Sequence, residues 1–369
     1  MRMRRYLFAE CLVLASALTG AVLLVRGVVR LSFARREAPS ARATPMSRET
    51  RIPNPIPNPI EGSLAGELDL PLPPNPDIER GTNGTFMGME DDFLIGRLRS
   101  QPIVRMKFNK GGSSLSFRVD FADGSRAAFK PAQTNLQTIP RKEVAAYRIN
   151  RLLGLGAVPP ATPRMVSRDD MFLHLHPETL PMLPRIRAET VFDPRGNTAG
   201  VMMYWVPVIK DSGLDTPEGI AQSTRWLTQG QAIPDDKHGL AAQLSDLLVF
   251  DFLISNPDRY SGGNMLTNED GLRLLFMDNT LSFFIEPQGS EKTRSALARG
   301  QRFSRRLYQA LDRISEETLS AILARASEGN YEILTKAEIR AVVSRRDYIQ
   351  KYIDSLVASY GDREVFYFP

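Results

Sequence analysis

From about residue 88 the chain alternates apolar and polar positions in short runs, IVRMKF (103–108), LSFRVDF (115–121) and RAAFK (126–130), separated by Gly111-Gly112 and Asp123-Gly124. A period of two marks strands with one buried face, and an Asp-Gly step between two such runs predicts a tight hairpin. After Pro140 the period lengthens, so that Ala145, Ile149 and Leu152 share a helix face that Gly154 closes. Strands are expected again around 162–176 and 200–208. Past 240 the pattern is helical: 240–255 brings Leu244, Leu248 and Phe252 together, and 303–312, 316–327 and 336–358 follow. The pattern predicts an α+β chain of two lobes, a small antiparallel sheet carrying one helix and then a larger, mainly helical lobe, with a cleft between them.

The first 81 residues read differently. Between Arg5 and Arg26 lie twenty residues, YLFAECLVLASALTGAVLLV, interrupted only by Glu10. That length just suffices to cross a bilayer core of roughly 30 Å as a helix. An uncleaved signal-anchor is the leading reading; a cleavable secretory signal and an organelle-targeting peptide remain alternatives. Residues 37–81 hold ten of the 26 prolines, including IPNPIPNPI (52–60), and read as an extended, disordered stalk. Asn83-Gly84-Thr85 would accept an N-glycan in a eukaryotic secretory pathway. The expected organisation is therefore a leader (1–36), a stalk (37–81), a sheet lobe (82–210) and a helical lobe (211–369).

Charge changes meaning once it is divided along the chain. The net +5 and pI near 9.3 taken whole suggest an acidic partner. Residues 1–36 carry seven arginines and one acid, a net of +6, so subtracting it from +5 leaves the remaining 333 residues at about −1. With no basic-aromatic stripe either, a nucleic-acid partner is not expected. The single cysteine, Cys11, lies in the leader, which excludes disulfides, thiolate metal sites and a cysteine nucleophile in the body. His174, His176 and His238 are too few for a histidine-rich metal site and read as structural or surface residues.

Three segments carry candidate chemistry. In KGGSSLSFRVDFADGSRAAFKP (110–131), a glycine-containing hairpin tip can lay backbone N–H groups over phosphate oxygens, and Lys130 on the next strand can reach them. A surface hairpin with an exposed lysine would look the same. Thirteen residues on, Glu143 opens the next helix, where it can lock Lys130, help hold a cation, or simply favour the helix dipole. In DLLVFDFLISNPDRYSGGNMLTNEDGLRLLFMDNTLSFF (246–284), Asp258 and Asp278 sit about twenty residues apart, each where a buried element meets a loop. That spacing suits phosphoryl transfer, one acid taking the hydroxyl proton and the other holding Mg²⁺ or Mn²⁺. Asp251 reads as a structural hydrogen-bonding group.

Glycine loop, lysine, helix glutamate, Asp-Arg turn and metal aspartate follow one another in protein-kinase order, without the usual H-R-D and D-F-G strings. The blocks KGGSSLSFRVDFADGSRAAFKP, EVAAYRINRLLGLGAVPPATPR and LLVFDFLISNPDRYSGGN…LLFMDN resemble the atypical secretory-pathway kinases of the family-with-sequence-similarity-20 type, over roughly 105–165 and 245–285. That resemblance implies ATP with Mn²⁺ or Mg²⁺, with Gly111, Gly112, Ser113 and Lys130 on the nucleotide phosphates and Glu143 beside Lys130 and the metal. It further implies Asp258 as catalytic base and Asp278 as metal ligand. Asn264 lies six residues beyond Asp258, where many kinases place a metal-binding asparagine at five, and is either a ligand or a turn residue. MMYWV (202–206) is the candidate hinge, with Met203 against adenine, or else a core strand. The cysteine-free body departs from the disulfide-laced animal members and points to a bacterial or divergent homologue.

The expected activity is transfer of the ATP γ-phosphate to a hydroxyl, with protein Ser/Thr favoured and a glycan as runner-up. An anchored pseudokinase scaffold that binds nucleotide without turnover is the reading from another class. Arg302, Arg305 and Arg306 are a candidate basic patch for an acidic acceptor, or else a solvated helix face. Arginines on both flanks leave the leader's own orientation open; the resemblance implies a catalytic body on the non-cytoplasmic side of a membrane, in the Golgi or secretory lumen or the bacterial periplasm, or secreted if the leader is cleaved. Homo- or hetero-oligomers are compatible with this organisation.

Overall fold

The alternating runs form five antiparallel strands, β1 (Ile103–Phe108), β2 (Phe117–Phe121), β3 (Arg126–Pro131), β4 (Ala161–Ser167) and β5 (Asn197–Tyr204), ordered β1-β2-β3-β5-β4 across the sheet. The computed structural model describes residues 84–110, 112–327 and 331–369. The expected leader, the stalk, Asn83 and Gly111 lie outside the described residues. Among those described, no helix is long and apolar enough to cross a membrane. The β2–β3 hairpin turns at Asp123-Gly124, where Gly124 takes φ +81° and Ser125 N–H bonds the Asp123 carboxylate at 2.9 Å.

More helices cover the sheet than the one expected. Besides α2 (Arg141–Leu152), a helix α1 (Asp91–Ser100) packs across β4 and β5 with Leu94, Ile95 and Leu98 buried. The strand expected to run to 176 stops at Ser167. There the side chain accepts the Asp170 N–H, and Asp169 and Asp170 complement the dipole of a new helix, α3 (Arg168–Leu173). A two-turn 3₁₀ helix (Pro177–Met182) and α4 (Leu183–Glu189) complete the crossing to β5. The alternation of His174 and His176 survives only as an isolated bridge between Met106 and Leu175.

Close approach within the sheet fixes Lys130. A Cβ at Gly200, opposite Pro131, would lie 2.3 Å from the Phe129 ring and 2.8 Å from the Lys130 carbonyl. Gly200→Ala must push β3 and β5 apart beside the lysine, and a loss of about 1–3 kcal/mol is expected in urea unfolding; unfolding at the parent midpoint would show that the strands yield freely.

The helical part is built on α6 (His238–Leu253), whose Leu244, Leu248 and Phe252 are buried as expected; α5 (Pro217–Leu227), α7 (Glu291–Leu297) and α10 (Lys336–Tyr360) pack against it, α8 (Arg305–Ala310) follows α7 in the chain, and α9 (Glu316–Ala326) packs on α10 and α2. Thr335 and Glu338 form a capping box on α10, and the same Glu338 takes a two-pronged bond from Arg141 at the start of α2, at 2.8 and 2.9 Å. A small antiparallel ladder pairs Lys210–Asp211 with Leu266–Thr267 and the latter with Leu274–Leu275. Its 266–275 hairpin brings the segments before and after it side by side, and those segments contain Asn264 and Asp278.

Candidate active site

Lys130 is anchored near the end of the central strand β3, with its side chain 9% exposed. Its Nζ lies 2.8 Å from Glu143 Oε1 and 2.8 Å from Asp278 Oδ1. Burial alone would deprotonate an ammonium, but Asp278 and Glu143 outweigh it and hold the lysine above its ordinary pKa. Glu143 comes from the first turn of α2 and is 3% exposed; its other oxygen accepts the Asn279 backbone N–H at 3.1 Å and the Asn279 side-chain N–H at 3.3 Å. Lys142, beside it, donates to the Ser282 carbonyl and lies 4.9 Å over the Phe284 ring, with burial pushing its ammonium down to about 8. One turn of α2 therefore fixes both the lysine and the segment after Asp278.

Asp278 takes a left-handed backbone, φ +55°, uncommon for a non-glycine residue and an indication of local constraint. Its carboxylate is half exposed and receives Lys130 and Thr280 on Oδ1. The Lys130 charge holds this carboxyl below the usual carboxylate range.

Asp258 stands on the loop that leaves α6. Ser255 turns with φ +52°, and Asn256 Oδ1 accepts the Asp258 N–H at 3.1 Å. Asn264 Nδ2 donates to the Asp258 carbonyl at 3.0 Å and to its carboxylate at 3.3 Å. The linking residue is Arg259, fully buried. It pairs with Asp251 at 3.0 and 3.1 Å, and also donates to Asn279 Oδ1 at 3.0 Å, Asn264 O at 3.1 Å and Met277 O. Burial disfavours its charge, but Asp251 more than compensates and raises the Arg259 pKa. One guanidinium thus ties the Asp258 loop to the backbone on either side of Asp278.

The structure brings Lys130, Glu143 and Asp278 into direct contact and wires Asp258 and Asn264 to them through Arg259 and Asn279. The sequence reading assigned no role to Asn256, Arg259, Asn279 or Lys142. The strings N-P-D-R and M-D-N held three of them, and Lys142 adjoins Glu143. Asp251 is the structural partner expected.

The sheet register gives Met203 its place. Lys107, Arg118, Ala128 and Met203 lie opposite one another across four strands, and Ala128 is two residues from Lys130, so all share the Lys130 face. A cavity of about 480 Å³ opens there, lined by Lys107, Asn109, Lys110, Arg118 and Trp205, the residue after β5. Gly112 and Ser113 are exposed at the β1–β2 turn. A second cavity, about 460 Å³, adjoins the Asp258 loop at Asn256, Pro257, Tyr260 and Ser261, with Lys292 and Arg299 opposite; the Arg299 guanidinium lies 4.2 Å above the Tyr260 ring.

Of the three arginines of the candidate patch one is spent internally, while Arg305 and Arg306 line a cavity of about 460 Å³ with Gln309 and the 366–369 tail. Arg302 is buried, donates to the Trp226 and Gln231 carbonyls at 3.1 and 2.8 Å, and stacks on Tyr367. Arg305 pairs with Asp362 and stacks on Phe366, while Arg306 reaches the Gly154 carbonyl at 3.4 Å. Among the described residues no three His, Cys, Asp or Glu side chains converge as a metal cage. The donors present still fit a hard cation, because Mg²⁺ and Mn²⁺ commonly take one or two protein oxygens and complete their shell with phosphates and water. Asp278 has a carboxylate oxygen beyond the one on Lys130, and both Asn264 bonds use its Nδ2, leaving its amide oxygen as a possible donor.

No family model matches the chain, and no curated protein matches it by sequence. Solved structures do. The Golgi casein kinase with Mn/ADP bound superposes with a TM-score of 0.58 at 16% identity, covering 74% of this chain and 78% of that one. Another structure of the Golgi casein kinase gives 0.56 at 16% identity over the same shares. Hydra Fam20 with sugar gives 0.52 at 18% identity, covering 74% of this chain and 90% of that one. The chain thus has the α+β, protein-kinase-like fold of these proteins.

Proposed function

We propose that the chain is an atypical kinase that transfers the γ-phosphate of ATP to a hydroxyl, most simply a protein Ser/Thr, outside the cytoplasm. The observation that carries this reading is Lys130 held at 2.8 Å by both Glu143 and Asp278, on a fold shared with a kinase whose structure holds Mn and ADP. A lysine fixed by a helix glutamate presents a permanent positive charge where nucleotide phosphates would lie. Asp258 orients the acceptor hydroxyl and takes its proton, and its loop is kept in register with Asp278 by Arg259 and Asn279. Asp278 and the Asn264 amide oxygen would hold the divalent cation, which when bound neutralises phosphate charge. The 480 Å³ cavity on the Lys130 face, with Lys107, Arg118 and Trp205 in its lining, suits the nucleotide, and the cavity beside Asp258 suits an acceptor.

A glycan acceptor is the second reading, supported by a fold neighbour crystallised with sugar. The test incubates the full chain with labelled ATP and Mn²⁺ or Mg²⁺ against casein-like proteins and xylose- or galactose-bearing glycans. Metal-dependent labelling of one acceptor class is expected. Nucleotide binding with no transfer to any acceptor would instead make the chain a scaffold, and no nucleotide binding at all would remove the kinase reading.

A further inference from the structure

We propose that Arg185, on the crossing between β4 and β5, is a positioning residue for the nucleotide phosphates, acting by pinning the tip of the β1–β2 loop. This rests on the kinase reading above. The crossing does not merely cover the sheet. It runs to the opposite edge, where His174 O accepts the Met106 N–H at 2.7 Å and His176 N–H donates to Met106 O at 2.8 Å. Thr179 Oγ1 then accepts the Phe108 N–H at 3.0 Å, and Glu178 pairs with Lys107 at 2.6 Å. On its way back the same segment joins the exit of β3: Thr134 N–H bonds Glu189 O at 2.9 Å, and Val191 N–H bonds Ala132 O at 2.9 Å, two residues beyond Lys130.

Arg185 sits between these two anchorages. Its Nη2 donates to the Ser113 carbonyl at 2.6 Å, its Nε pairs with Glu189 at 2.9 Å one turn along α4, and its guanidinium lies 5.7 Å over the Phe108 ring. The stem of the loop is closed separately. Asn109 N–H bonds Ser116 O at 2.8 Å, and Gln133 brackets Leu115 with bonds of 2.8 and 3.1 Å. Among the described residues, Arg185 is therefore the side chain from outside the loop that reaches its tip, at Ser113.

The geometry of the peptide unit says what that contact does. In a trans peptide the C=O and N–H point in opposite directions, so drawing the Ser113 carbonyl toward Arg185 turns the Ser114 N–H away from it. Among the described residues that N–H takes no hydrogen bond. An exposed loop containing Gly112 would otherwise sample many orientations of this peptide, and each would have to be given up when an anion binds. Arg185 fixes the orientation beforehand and refers it, through α4, to the strand that carries Lys130.

The experiment measures binding of ATP and of adenosine to the full chain by titration calorimetry with Mn²⁺, for the parent, Arg185→Ala, Arg185→Lys and Glu189→Gln. Arg185→Ala is expected to weaken ATP about tenfold, the usual scale for losing one charge-assisted bond, and to leave adenosine unchanged. Arg185→Lys should recover part of the loss, and Glu189→Gln should show a smaller loss of the same kind. Equal losses for ATP and adenosine would reduce Arg185 to a general structural residue and overturn the proposal, as would ATP affinity equal to the parent's. If Arg185→Ala does not fold, the lysine and Glu189 variants decide by the same comparison. A parent that binds neither ligand would remove the kinase reading and this one with it; a parent that binds ATP and an alanine variant that binds it equally removes this one alone.

Discussion

Asp258→Asn is expected to lower phosphate transfer about a thousandfold while leaving ATP affinity within about threefold of the parent. A positioned general base contributes on the order of 10²–10⁴ in rate, and asparagine keeps the shape of the side chain while removing its ability to take a proton. Affinity should survive because Asp258 touches neither Lys130 nor the Asp278 carboxylate; its polar contacts among the described residues are to Asn256, Ser261 and Asn264. Single-turnover kinetics with saturating ATP, beside a binding titration, separates the two quantities. Transfer at the parent rate would mean that another group takes the proton. A parallel loss of ATP affinity would mean that the loop, and not the base, had been damaged.

How far the sequence announced this site depends on whether each contact is local or distant. Lys130 and Glu143 were legible because a strand, a short connection and the first turn of the next helix place them thirteen residues apart, and the order of the other motifs agreed. Asp258 and Asp278 were legible because each follows a long apolar run and marks its end. Arg259 was hidden in plain view. Its neighbour carries the chemistry, and nothing in N-P-D-R says that the guanidinium turns inward to five acceptors on three segments. The arginines at 302, 305 and 306 were ambiguous for the same reason, since burial under Tyr367 and pairing with Asp362 are decided by a tail sixty residues away.

The fold shows a similar division. Helix α1 escaped notice because its ten residues include Gly96, lack a side-chain cap and bury only a few apolar positions, so it is packing on β4 and β5 that makes it a helix. The stretch after Ser167 looked like strand because its histidines alternate. A capped turn with two acids at its start is the stronger local signal, and Pro177, Pro181 and Pro184 then forbid a regular strand. Charge division along the chain turned the expectation away from nucleic acid, yet the structure had to show which cations face a cavity and which are spent on carbonyls.

The largest effect on stability is expected at the buried pair Asp251–Arg259. Asp251→Ala leaves a guanidinium that is 1% exposed with carbonyl and amide acceptors but no carboxylate bonded to it, Asp278 acting only across space. Breaking such a pair from one side costs about 3–5 kcal/mol, more than most single substitutions, and should appear as a large fall in the urea midpoint. Replacing both partners by apolar residues of similar size, Asp251→Leu with Arg259→Met, removes the stranded charge and should return much of the lost stability. Transfer should not return with it, because the double variant lacks the bonds that tie the Asp258 loop to Met277 and Asn279 on either side of Asp278. The two measurements therefore distinguish a pair kept for stability from one kept for alignment. A double variant that regained both folding and transfer would show that packing alone aligns the two acids. A single Asp251→Ala variant within about 1 kcal/mol of the parent would show that Arg259 reaches water or another anion when its partner is removed.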